Sequence, residues 1–382
     1  MEVKSKIKDV EEFEKLFKIN VPVKEHLSYY LNTLACSKEF SDIYNTFNKF
    51  LQLEEDVEKL GYKSVKSYKL DYALPKILNY LKGTVAYQNI QSCDIKGEFF
   101  TKDLIKESAG KYWFLSIDIS KANYSTFKYM DTTGNGLFSS WEELCNKMEI
   151  HPVLASSKSF RQIVFGNTNP NRLQRIQHSL VMKGVSFLKQ EFNLSEEEIC
   201  FISHDEIVLR FSQEDLNCRN RLKEFTNNVL LLSGSMENVP LRFTVYELDK
   251  ITKNIFVKTV YDENLSSPKY KSLFGAPGNK FYKYFKIHIL KQDLDDRDLL
   301  FINDGEIAKW MSDEDSIETT YTPEGEYSLE EVKQNFGYFY ETLSKEVSGL
   351  SEPQKRKIIN VVLGLCRSCM NAESGCVCWN DD

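Results

Sequence analysis

No apolar run in the 382-residue sequence approaches the roughly 20 residues that a membrane-spanning helix needs. The first 18 residues, MEVKSKIKDVEEFEKLFK, are charged throughout and hold no apolar signal core. These two absences predict a soluble intracellular protein with no membrane partner. Histidine is scarce, at five residues, and none stands in a recognisable nucleophile context, which argues against Ser-His-Asp or Cys-His catalysis. An excess of basic residues is missing too: the net charge is −7, so the chain as a whole is not a basic nucleic-acid binder. Internal repeats and strong low-complexity tracts are absent. Five of the nine cysteines (Cys36, Cys93, Cys145, Cys200, Cys218) are scattered, as buried thiols in a reducing compartment would be.

The apolar share, 42%, is enough for two or three cores in a chain of this length. From residue 1 to about 108 apolar residues recur at three- to four-residue spacing, in VEEFEKLF, EHLSYYLNTL, FSDIYNTFNKFLQLEEDVEKL and LPKILNYL, and predict a helical N-terminal domain without a chemical motif. Residues 109–262 change rhythm. YWFLSIDIS is a strand run, and KANYSTFKYM suits a short helix. Ser139 or Ser140 with Glu142 and Glu143 forms a capping box for WEELCNKM. A helix over 156–165 follows. Asn-Pro-Asn at 169–171 opens a long helix with Leu173, Ile176, Leu180, Phe187 and Leu188 on one side and Arg172, Arg175, Ser179 and Lys183 on another. ICFISHDEIVLRF predicts a hairpin, EDLNCRNRLKEFTNNVLLL a helix, and LRFTVYEL and NIFVKTVY two strands. With the inserted pieces set aside, the order is strand, helix, strand, strand, helix, strand, which is the ferredoxin-like split βαβ plan within an α+β chain. Residues 263–382 read as a mixed α/β region. There KFYKYFKIHIL and DLLFINDGEIAKW predict strands, the latter with an Asp-Gly turn, and two helices lie further on.

In that plan Asp118 ends the first strand and sits next to Asp205 at the hairpin tip, with Glu206 behind. Carboxylates held this close repel one another unless a cation lies between them. A pair of divalent ions about 3.5–4 Å apart is the arrangement that stabilises attacking and leaving oxygens in phosphoryl transfer. Charge is also unevenly spread. Between Ala155 and Gln190 there are six basic residues (Lys158, Arg161, Arg172, Arg175, Lys183, Lys189) and no acidic one, a candidate phosphate-binding surface or a plain solvated helix face.

These residues resemble the palm domain of template-directed nucleic-acid polymerases, and most of all family A, the DNA polymerase I type. A strand ending in His-Asp-Glu is matched at His204, Asp205 and Glu206. A strand ending in aspartate, with serine two residues on, is matched at Asp118 and Ser120. A basic residue followed by Phe-Gly is matched at Arg161, Phe165 and Gly166, and the three motifs keep the family's order. The departures are Arg161 in place of lysine, Asn169 in place of a tyrosine, and a shorter gap before the third motif, implying reduced fingers. The likeness covers roughly residues 111–211, as in a compact, divergent palm.

The resemblance implies a nucleotidyltransferase that extends a nucleic-acid 3′ end with Mg²⁺ or Mn²⁺, acting on a primer-template and nucleoside triphosphates, in the cytoplasm or at a viral or nuclear replication site. It leaves open a protein partner subunit. Asp118 and Asp205 would ligate the metals, with Glu206 as accessory carboxylate. Lys158 and Arg161 would face the triphosphate, Phe165 would stack on a base, and Arg172, Arg175 and Lys183 would follow the nucleic-acid backbone. The position that judges the sugar falls on Asn123 or Tyr124, and the sequence does not choose between them. Two other readings stay open: a palm enzyme that adds nucleotides without a template or in RNA repair, and an inactive palm serving as a nucleic-acid-binding subunit.

Two further motifs compete. Asp131, Thr133, Asn135, Gly136 and Glu142 fall at calcium-loop positions 1, 3, 5, 6 and 12, although a Gly-rich turn ending in a capping box is the simpler account. Cys366, Cys369, Cys376 and Cys378 supply four thiolates for a tetrahedral Zn²⁺ site, at tighter spacing than a ribbon or finger uses, or else are free thiols.

Overall fold

The computed structural model describes residues 8–95, 100–133, 138–215, 217–262, 265–303 and 306–310, together with the backbone of two short strands at 318–322 and 325–327. The chain divides into two compact units.

The larger unit comprises residues 1–21, 26–276 and 288–291. Its helices begin with α1 (Val10–Phe17), α2 (Leu27–Ala35), α3 (Ile43–Lys59), α4 (Val65–Tyr68), α5 (Leu74–Lys82) and α6 (Val85–Ser92). Helices α1, α2, α3 and α5 turn the apolar stripe seen in the sequence inward. In α3 the buried residues are Ile43, Phe47, Phe50, Leu53 and Val57, at helical spacing. Strands β1 (Lys102–Asp103) and β2 (Tyr112–Ile119) follow, then α7 (Ala122–Tyr129), α8 (Trp141–Lys147), α9 (Pro152–Ser156), α10 (Lys158–Gly166) and α11 (Pro170–Glu191). The starts of these helices are written in side chains. Ser140, Ser157 and Asn169 each accept a hydrogen bond from a backbone N–H of the first turn, and Pro170 opens α11. The hairpin β3 (Ile199–Ile202) and β4 (Glu206–Ser212) comes next, then α12 (Cys218–Asn227), α13 (Val229–Ser235), β5 (Leu241–Lys250), β6 (Phe256–Tyr261) and β7 (Pro268–Phe274).

The strands of this unit form one seven-stranded antiparallel sheet in the order β1-β3-β4-β2-β5-β6-β7. The protein is thus mixed α and β around an antiparallel sheet. Side chains alternate across the pleat, so the register assigns each residue to a face. Leu115 and Ile117 share one face with Leu209, Ile207, Val245 and Phe243. Helix α11 lies against this face, with Gly184 close to Ile207. The opposite face carries Phe114, Val208, Tyr246, Leu248, Phe256 and Val260, which form a buried core with Ile105 and Cys200. The last row of that face, at the end of β2, is Glu206, Asp118 and Arg242.

The helices before residue 108 and the sheet after it lie in the same compact unit, which runs on to Ala276. The reason is β7, which pairs with β6 and extends the sheet. The segment KFYKYFKIHIL is helical, not a strand: α14 (Phe281–Tyr284) continues as a wider turn over Phe285–Leu290. Its aromatic pattern also fits helical spacing, and Phe281 stacks on Phe285 with centroids 5.1 Å apart.

The smaller unit comprises residues 22–25, 277–287 and 292–382. Its sheet is β8 (Leu300–Asn303), β9 (Glu306–Trp310), β10 (Glu318–Thr322) and β11 (Gly325–Tyr327), antiparallel in chain order. Asn303 pairs with Glu306, and the Asp-Gly turn expected between them lies outside the described residues. The two helices expected further on, and Cys366, Cys369, Cys376 and Cys378, lie outside the described residues.

Candidate functional site

The hairpin tip explains how a polar triplet fits between two strands. Ser203 N–H donates to the Glu206 carbonyl at 2.9 Å, which leaves His204 and Asp205 as the two turn residues. The turn is tied to the neighbouring strand, because Ile119 N–H donates to the Asp205 carbonyl at 2.9 Å. Ser203 Oγ accepts from Asp205 N–H and donates to its Oδ1, at 3.4 and 3.3 Å. These bonds bring the hairpin tip to the end of β2, where Asp118 stands.

Asp118 pairs across the sheet with Glu206 on β4 and with Arg242 on β5. A carboxylate therefore flanks it on one edge and a guanidinium on the other. Arg242 Nη2 lies 2.5 Å from Asp118 Oδ2, with Asp118 mostly buried and Arg242 exposed. Burial pushes the Asp118 carboxyl up to about 6. Arg242 pulls the other way, and the carboxylates of Asp205 and Glu206 add to the rise. Glu206 is held by Ser116, whose hydroxyl donates to Oε1. On the same face Lys258 of β6 lies 3.9 Å from the Tyr246 ring centroid. Burial lowers its ammonium, Glu206 opposes that, and Arg242 adds to it.

The basic candidates do not stand together. Lys158 is exposed at the start of α10, with Lys18 among its neighbours. Arg161, one turn on, is half-buried and lowered by burial, with Glu142 and Cys145 of α8 beside it. Arg172 donates to the Ile90 carbonyl at 3.3 Å and so ties α11 to α6. Arg175 and Lys183 are exposed on α11, Lys183 paired with Glu237 at 2.5 Å.

The aromatic candidates need correction. Phe165 is 1% exposed and packs among Phe127, Trp141 and Tyr124 at centroid distances of 5.7, 5.7 and 6.4 Å. It is a core residue, closed off from any base. Tyr124 is 3% exposed, and its hydroxyl donates to the Phe138 carbonyl. Asn123 is half-buried, and its Oδ1 accepts from Gln177 Nε2 at 3.0 Å. In the calcium-loop candidate, Glu142 pairs with Lys121 and Asp131 Oδ1 accepts from Thr133, while Asn135 and Gly136 lie outside the described residues.

Among the described residues no three His, Cys, Asp or Glu side chains are grouped closely enough to hold a metal ion. Sequence reasoning missed Arg242, Ser116 and Lys258. The alternation Arg242-Thr244-Tyr246 held the signal for Arg242 once β5 is known to pair with β2. Among the described residues no helix is long and apolar enough to cross a membrane. No protein-family model matches the sequence, no curated protein matches it, and no solved structure matches the fold.

Proposed function

We propose that the chain is a divalent-metal-dependent nucleotidyltransferase that extends a nucleic-acid 3′ end on a template. The observation that carries the reading is the row Glu206-Asp118-Arg242 at the end of β2, with Asp205 on the turn beside it. The strand order supports it. Strands β3-β4-β2-β5 are neighbours in that order, with helical connections after β2 and after β4, which is the order a split βαβ plan would need. The motif likeness points the same way.

The donor set suits a hard cation, for it is all carboxylate, and Mg²⁺ takes one or two carboxylates together with substrate phosphates and water. The Asp118 carboxyl is raised first by burial and then by the carboxylates of Asp205 and Glu206, against the pull of Arg242, and a cation bound there would offset both. Asp118 and Asp205 would hold the ions, and Mg²⁺ or Mn²⁺ would supply Lewis-acid stabilisation of the attacking and leaving oxygens. Ser116 holds Glu206 in place. Arg242 neutralises Asp118 in the resting site and is the exposed cation nearest to it, free to turn toward a phosphate once Asp118 is otherwise engaged.

The test is primer extension with purified protein and Mg²⁺ or Mn²⁺, offering each ribo- and deoxynucleotide separately on DNA and RNA primer-templates, beside Asp205→Asn. Template-matched addition that disappears in the variant is expected, and the nucleotide used identifies the sugar. Addition that ignores the template would move the assignment to an end-adding enzyme. No addition, with both proteins binding nucleic acid equally, would leave a binding subunit.

A further inference from the structure

Strand β7 ends the large sheet on one side. It is the last strand in the order β1-β3-β4-β2-β5-β6-β7, runs for seven residues over Pro268–Phe274, and keeps unbroken register with β6 from Tyr270 to Phe274. Among the described residues β7 makes backbone hydrogen bonds to β6 alone. An antiparallel strand turns only every second residue toward a given neighbour, so the alternate N–H and C=O groups of β7 point outward. Pro268 lacks an N–H, but it stands at the first position and leaves the donors of the other residues intact.

The two faces of β7 differ in charge. Tyr270 and Phe274 are half-buried and pack on the core of the sheet. Glu39 lies within electrostatic reach of both Tyr270 and Lys258, and Lys258 offsets it. Lys269 and Lys271 share the opposite face, are exposed, and have no acidic partner among the described residues. Two unpaired ammonium groups at this spacing match an incoming strand that carries carboxylates at the same period of two. They also argue against a second copy as the occupant. Two β7 strands paired antiparallel about a two-fold axis normal to the sheet would set lysines of one copy against lysines of the other, and like charges opposite one another destabilise a strand pair.

We propose that the outer edge of β7 docks an extended acidic segment of a partner protein, which joins the sheet as a further strand. Asp or Glu at alternate positions of that segment face Lys269 and Lys271, and the β-branched or aromatic residues between them face Tyr270 and Phe274. In this mode of recognition the main chain supplies affinity and the alternate side chains supply specificity. The two lysines serve both sides of that specificity, for they attract carboxylates and repel a basic strand or a like copy. Docking at β7 needs neither metal nor nucleotide and does not rest on the proposed transferase reading.

The experiment measures fluorescence anisotropy of a labelled peptide that alternates Glu with Val and Thr and is long enough to span β7, on the full chain without metal or nucleotide. Two further peptides are N-methylated, one at the Glu positions and one at the Val and Thr positions. Only one of these sets of N–H groups meets β7 in an added strand, so one peptide should bind much as the parent does and the other should lose about tenfold or more. Lys269→Glu with Lys271→Glu should weaken the Glu peptide about tenfold and strengthen binding of its Lys counterpart. Lys250→Glu with Lys253→Glu, at the turn between β5 and β6, changes the net charge equally and should bind within about twofold of the wild type. The methylated pair is read on the wild-type protein, so a variant that failed to fold would leave the test standing. Equal binding by the two methylated peptides, equal binding by a peptide with its Glu residues grouped at one end, or no binding by the wild type would each overturn the proposal. Self-association in sedimentation that the Lys269, Lys271 double variant abolishes would overturn it in favour of a second copy.

Discussion

Asp118 and Arg242 face each other across β2 and β5, joined at 2.5 Å, and the same aspartate has Glu206 across its other edge. The guanidinium is the resting counter-ion of the carboxylate cluster, so it competes with any cation that enters. Replacing it by a neutral side chain removes that competitor. Arg242→Gln should therefore bind Mn²⁺ tighter at pH 8, by about two- to fivefold, since an exposed pair of this kind is worth about 1 kcal/mol or less. Titration of the free protein by electron paramagnetic resonance reads this directly. Weaker Mn²⁺ binding in the variant would mean that Arg242 organises the site instead of blocking it.

The pH dependence of stability follows from Asp118. Its carboxyl sits at about 6 in the folded protein, against an ordinary value of 3.8. Below about 4 it is protonated folded and unfolded. Between about 4 and 6 the folded form keeps its proton while the unfolded form loses it, so stability falls as the pH rises through that window, and above about 6 the loss is complete. Asp118→Asn cannot titrate. Relative to wild type, the variant should gain up to about 3 kcal/mol between pH 4 and pH 7. Urea unfolding of both proteins at the two pH values, without metal, checks the sign. A gap independent of pH would place Asp118 in an ordinary solvated setting.

Helix α11 reaches the sheet closely at Gly184. A Cβ there would meet Met236 Sδ at 2.7 Å and Ile207 Cδ1 at 3.4 Å. The contact with Ile207, the residue after Glu206 in β4, is an ordinary one, so the strain falls on Met236 and not on the carboxylate row. Gly184→Ala should lose about 1–3 kcal/mol of stability and leave nucleotide addition by the folded fraction within about twofold. Denaturant midpoints measured beside initial rates separate the two effects. An unchanged midpoint would mean that Met236 moves aside at little cost.

The longer helices and strands β2 to β6 were legible because their signals are local: apolar spacing, the caps at Ser140, Ser157 and Asn169, and the hairpin pattern around Asp205; the edge strands β1 and β7 were not. The adjacency of Asp118 and Asp205 was legible too, since the order of elements limits which strands can pair. Arg242 was not, because its role depends on a register between strands more than a hundred residues apart, and nothing around it in sequence marks that pairing. The segment 281–290 was misread because a run of aromatic and apolar residues satisfies both periods, and packing decides between them. The basic residues of 155–190 share a stretch of sequence but diverge in space, because α10 and α11 turn them toward different neighbours.

Phe165 is the clearest separation between motif and environment. The Phe-Gly pair matches a motif in which the ring would meet a base, yet the ring is closed into the core by Trp141, Phe127 and Tyr124. A buried aromatic contributes through packing, and shortening it leaves a cavity. Phe165→Leu should therefore cost roughly 1–2 kcal/mol of stability and leave the KM for nucleotide within about twofold in the folded fraction. Melting curves and nucleotide titrations of the extension reaction provide the two readouts. A KM raised tenfold with stability unchanged would mean that α10 opens on binding and that the ring does reach the substrate.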